Sequence, residues 1–236
     1  MSGLREPTRS RPDVPPWGFA AVVLAYLGGT VVAVLLVGLS GARTNSPVAN
    51  TLGIVGLWTG FVGMPVYLSR TRGTGRLSTD FGLRFGGPAD LGLGLAAGVA
   101  SYLLVDGYAQ FLKAAGDHAD LGHEATQLSG HGLGLGFVVF AACVVLGAPF
   151  AEELYFRGLA QPVLQRTFGG WGGLAVTSVL FGFAHIGSNP LEAILPLALF
   201  GALLGLLAWR TGRLGPGIVA HMTFNGITVV ALALSR

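Results

Sequence analysis

Three short stretches place side chains capable of acid–base chemistry inside sequence that is otherwise close to pure hydrocarbon. The first, Gly147 to Gly158, reads GAPFAEELYFRG and holds Glu152, Glu153 and Arg157. The second, Phe181 to His185, ends on His185, and the third carries His221 and Asn225. An acid at the centre of a membrane helix costs roughly 2.5–3.5 kcal/mol on insertion scales. A chain that only had to cross a bilayer would use Leu there. On a helix, Glu153 and Arg157 share a face in the favourable order, acid first, and are expected to pair. Glu152 points about 100° away and is left without a local partner. His221 and Asn225 share a face and can address one spot.

A carboxylate beside an imidazole can hold a water and take its proton. An imidazole with a carboxamide can donate hydrogen bonds to a developing oxyanion. A Glu, two His and an Asn in one sheltered cavity therefore suit water-mediated acyl hydrolysis, such as peptide-bond cleavage. The set Glu152, His185 and His221 could also hold zinc with an open position. The H-E-x-x-H spacing is absent, so the sequence does not demand a metal. No Ser or Cys is placed as an obvious nucleophile. Taken singly, each stretch also has a bland reading, as polar side chains that hydrogen-bond between helices or reach the membrane surface.

The elements that must carry these residues are membrane helices. The 236 residues are 52% hydrophobic and only 11% charged, against about 25% charged in soluble domains. Cys143 alone excludes an internal disulfide and a Cys-rich zinc site. Thirteen of the 14 basic residues are Arg, and they sit between apolar runs, where they set membrane orientation; nucleic-acid binding is not expected. Residues 1–16 read as a disordered polar leader, and 17–236 as a single transmembrane domain. Apolar runs cover Trp17–Leu39, Pro47–Leu68, Leu91–Leu112, a stretch from Leu133 into the first motif, Trp171–Ile186, Leu191–Trp209 and Leu214–Leu234. The expected fold is all-α, a polytopic bundle of about seven transmembrane helices. With a cytoplasmic N-terminus, 11 of the 14 basic residues fall inside, which satisfies the positive-inside rule. The stretch from Leu133 to Phe168 is too long for one straight span, and Pro149 removes a helix hydrogen bond within it, so a kink or break is expected there. Gly56/Gly60, Gly94/Gly98, Gly132/Gly136 and Gly201/Gly205 read as helix-packing pairs.

Glu-Glu-x-x-x-Arg at 152–157, Phe-x-x-x-His at 181–185 and His-x-x-x-Asn at 221–225, in that order, resemble the CPBP intramembrane proteases. These are also called the type II CAAX prenyl endopeptidase or lysostaphin-resistance-like family. The resemblance covers about 133–234. It implies a membrane endopeptidase in which Glu152 with His185 activates water and His221 with Asn225 supports the oxyanion, while Glu153 and Arg157 are supporting residues. Family members have been described both as metal-dependent and as glutamate-dependent. The resemblance implies a membrane-associated peptide or protein as substrate. The expected location is a cell membrane, crossed several times, in a bacterial plasma membrane. Two rival readings are a transporter using the same cavity and a membrane scaffold or immunity factor without turnover.

Other polar residues read as structural. Asp106 and Gln110 lie four apart in the third run and are expected to share hydrogen bonds. Asp117, His118, Asp120, His123, Glu124 and His131 read as a solvated extracytoplasmic loop. Glu192 suits a helix start at the outer interface.

Overall fold

The computed structural model describes residues 17–43, 46–116, 134–186 and 190–234. The leader and the loop set from Asp117 to His131 lie outside the described residues. Every long element among those described is a helix: α1 (Phe19–Ser40), α2 (Pro47–Arg72), the short α3 (Leu77–Asp80), α4 (Pro88–Ala114), α5 (Leu135–Ala142), α6 (Ala148–Glu152), α7 (Gln161–Phe183), α8 (Ile194–Thr211) and α9 (Gly215–Leu234). Two π-helical segments, Cys143–Gly147 and Glu153–Ala160, join α5 to α6 and α6 to α7. The protein is a multi-pass helical membrane protein. Six helical runs among the described residues are long and apolar enough to cross a bilayer. The fourth of these, Phe137–Phe183, has 47 residues and is interrupted at Gly169, whose φ of 75° leaves the helical region. Counted as two arms, it brings the spans to seven.

Pro149 does not break the rod. The turn before it widens instead, so that the N–H of Ala148 reaches the carbonyl of Cys143, five residues back. The second π-helical segment ends in the same way, with the Gln161 N–H on the Phe156 carbonyl and Pro162 next in sequence. A proline ring clashes with the carbonyl four residues back and offers no N–H. A wider turn ahead of it relieves the clash without ending the helix.

The first arm, a rod from α5 to Phe168 within α7, runs through the centre of the bundle. Between Glu153 and Ala160 every residue is buried. On one side Tyr155 stacks on Phe61 of α2, with centroids 4.1 Å apart, and donates its hydroxyl to the Val22 carbonyl of α1. On the other side lie α8 and α9. The helices α1 and α2 form a hairpin held by close backbone approach: a Cβ on Gly60 would overlap the Ala25 carbonyl oxygen. In the same way α4 closes on α9, where a Cβ on Gly98 would sit 2.5 Å from the Ala220 carbonyl oxygen. With little hydrophobic drive between helices in lipid, such contact is what holds them together.

One end of the bundle is tied by polar contacts. Arg213 binds Asp90 of α4 through two hydrogen bonds, at 2.7 and 2.6 Å. The Leu214 N–H donates to the Gly82 carbonyl, and Arg166 donates to the Trp17 carbonyl. Trp17 stacks on Phe81 at 5.2 Å. The start of α1, the α2–α4 connection, residue 166 and the α8–α9 turn therefore meet at one end. That is the grouping of Arg-bearing segments that the charge asymmetry placed on the cytoplasmic side.

Candidate active site

Glu153 and His221 form the centre of the polar cluster. Glu153 is fully buried, and its Oε1 accepts from Arg157 Nη1 at 2.9 Å. The expected four-residue pair is thus formed, although this turn is π-helical. The same oxygen lies 3.2 Å from His221 Nδ1 on α9. Arg157 donates its second terminal nitrogen to the Gly201 carbonyl of α8 at 3.0 Å, and its guanidinium carbon sits 4.4 Å from the Phe181 ring centroid. A buried ion pair is stable only when hydrogen bonds satisfy what the charges leave over. Here a backbone carbonyl and an aromatic face do so for part of the cation, while Arg157 Nε and Glu153 Oε2 stay buried without a partner.

Both histidines have a fixed tautomer. His185 Nδ1 lies 2.8 Å from the Phe181 carbonyl, which can only accept, so Nδ1 carries the proton and Nε2 the lone pair. His221 Nδ1 faces a carboxylate oxygen and is likewise the protonated nitrogen. The Phe181 ring touches both imidazoles, with centroids 4.9 Å from His185 and 5.9 Å from His221. His185 is not within a helix. It lies in the turn just beyond the last residue of α7, half-buried.

Glu152 is half-buried, and its Oε2 is buried without a hydrogen-bond partner. Asn225, also half-buried, donates its side-chain amide to the Val144 carbonyl at 2.8 Å. The structure thus brings Glu153, Arg157 and His221 into direct contact and links His185 to them through Phe181. It ties Asn225 to the rod two turns ahead of Glu152. Among the described residues, no group of three or more His, Cys, Asp or Glu side chains is arranged to hold a metal ion. Glu152, His185 and His221 do not form such a group.

Several contacts carry no signal in sequence spacing. Phe181 was read only as a flank of His185, yet its ring touches both imidazoles and the guanidinium. Gln161, buried, donates to the Gly205 carbonyl at 2.9 Å, while its own Oε1 has no partner. Asp90, one residue before the apolar run that starts at Leu91, lies in the first turn of α4, where its carboxylate suits the helix N-terminus and meets Arg213. Asp80, 1% exposed, accepts from the Ser69 hydroxyl and from the backbone and hydroxyl of Thr74. Burial alone would raise its pKa; these hydrogen bonds outweigh that and hold the carboxyl below its ordinary value. Asp106 and Gln110 are both exposed on α4, away from the cluster.

Comparison with known proteins agrees with the motifs. No curated protein and no solved structure matches the chain. Residues 134–227 match the family model described as type II CAAX prenyl endopeptidase Rce1-like. That segment runs from α5 into α9 and holds both histidines, both glutamates and Asn225, and its similarity to the type II CAAX prenyl endopeptidases supports membership of that family.

Proposed function

We propose that this chain is an intramembrane endopeptidase in which Glu152 is the general base. The matched domain supports endopeptidase activity at family level. The assignment to Glu152 rests on one observation, the contrast between two adjacent carboxylates. Glu153 is fully buried, with one oxygen, Oε1, shared by Arg157 and His221 and the other, Oε2, also without a partner, whereas Glu152 is only half-buried and stands outside that ion pair. Glu152 keeps a buried oxygen with no partner inside the protein. Buried polar atoms are nearly always satisfied, and exceptions mark places where a water or a reacting group belongs.

In this reading Glu152 takes a proton from water as the water oxygen bonds to the scissile carbonyl carbon. His185 Nε2 accepts a hydrogen bond from the same water and orients it. The carbonyl electron pair moves onto oxygen. There the second N–H of Asn225, together with His221, meets the charge. Glu153 holds the His221 ring through Nδ1. Collapse of the intermediate breaks the C–N bond, and Glu152 returns its proton to the leaving amine. The substrate would be a membrane-associated peptide or protein, cleaved in the plasma membrane.

The test compares peptides from membranes containing the wild-type chain with those containing Glu152→Gln at equal expression. Cleavage products present with the wild type and absent with Glu152→Gln are expected. An identical product set from both would overturn the assignment.

A further inference from the structure

We infer that Asn225 is a positioning residue that replaces the hydrogen-bond donor missing at Pro149. In the π-helical turn Cys143–Gly147, the N–H of Ala148 is committed to the Cys143 carbonyl. The same register would give the Val144 carbonyl to the N–H of residue 149, but residue 149 is proline and has none. The Val144 carbonyl, inside a helix that crosses the bilayer, is thereby left without a backbone donor. In hydrocarbon such a group has no water to turn to. The Asn225 side-chain nitrogen lies 2.8 Å from that oxygen.

This hydrogen bond spans 81 residues of sequence and joins two elements that both carry the site. Asn225 lies one turn beyond His221 on α9, and Val144 lies two turns ahead of Glu152 and Glu153 on the central rod. A second link between the same elements is His221 Nδ1 to Glu153 Oε1. Two links set the register between the rod and α9, where a single link would leave a pivot. The bond also holds the plane of the Asn225 carboxamide and so sets where its other N–H points. The oxyanion role given to Asn225 above rests on the proposed reaction, whereas this one rests on the fold alone.

The measurement is a double-mutant cycle on the full chain in detergent, with thermal unfolding as the readout. Asn225→Ala should lower the unfolding temperature by several degrees. Pro149→Ala restores a backbone N–H: in the π register it reaches the Val144 carbonyl itself, and in the α register it takes the Val145 carbonyl while the Ala148 N–H takes that of Val144. In that background Asn225→Ala should cost less than half as much. Equal losses in both backgrounds would overturn the inference. Asn225→Asp adds a pH readout that a packing role would not produce. An ionised Asp keeps the shape but cannot donate, so the loss should appear at neutral pH. It should recover at low pH, as the protonated carboxyl regains an O–H, and only while Pro149 is present. A loss independent of pH counts against it. Turnover separates this role from the oxyanion role. Where the unfolding loss is relieved by Pro149→Ala and the turnover loss is not, Asn225 serves both; where both are relieved, positioning is its whole contribution.

Discussion

Glu153 Oε1 lies 3.2 Å from His221 Nδ1 across 68 residues of sequence, and the same oxygen holds Arg157 at 2.9 Å. Three helices therefore depend on one carboxylate: the central rod that carries it, α9 through His221, and α8 through the Arg157 bond to Gly201.

Removing that carboxylate should damage the fold more than the chemistry of its neighbour. Glu153→Gln leaves the Arg157 guanidinium, 2% exposed, without a counter-charge. Breaking a buried pair from one side costs about 3–5 kcal/mol. Thermal unfolding in detergent should show a large loss for Glu153→Gln and little change for Glu152→Gln.

Much of this arrangement could be read before any coordinates, and the limits have physical causes. The apolar runs mark the helices because hydrocarbon thickness dictates their length. Pro149 and the long stretch around it pointed to irregular backbone, and the π-helical turns are the form it takes. The Glu153–Arg157 pair followed from spacing. The His221–Glu153 contact and the Asn225–Val144 bond did not, because each joins residues that only tertiary packing brings together. Asp90 gave no sign of its ion pair because its partner, Arg213, lies 123 positions away. Phe181 went unremarked because an aromatic in an apolar helix carries no mark of its neighbours.

The hairpin of α1 and α2 offers a packing test. Gly60→Ala puts a methyl into the Ala25 carbonyl, whereas a Cβ on Gly63, one turn away, meets nothing within 4 Å. Overpacking of this kind costs about 1–3 kcal/mol. Gly60→Ala should lower the unfolding temperature, and Gly63→Ala should leave it within error.

Asp80 predicts an acid-sensitive connection between α2 and α4. Its carboxyl is held below the ordinary value of 3.8, so the folded state favours the ionised form. The stabilisation is fully present above that value and disappears as pH falls through the lower folded-state pKa. Hydrogen exchange of the amides from Gly73 to Phe81 should stay slow down to about pH 4 and speed up below it. Asp80→Asn should exchange faster at neutral pH and show no such step.

Chelation is a further check on the water-activation reading. With Glu153 holding His221 through Nδ1, and no three-ligand group among the described residues, turnover should persist after treatment with a strong zinc chelator. Activity lost on chelation and restored by added zinc would contradict the general-base assignment.

The most direct measurement is turnover of a membrane-embedded peptide by purified Glu152→Gln, taken together with its unfolding temperature. The account predicts an unfolding temperature within error of wild type and turnover reduced by at least a hundredfold, the range general-base catalysis supplies. Wild-type turnover by a stably folded Glu152→Gln would contradict it.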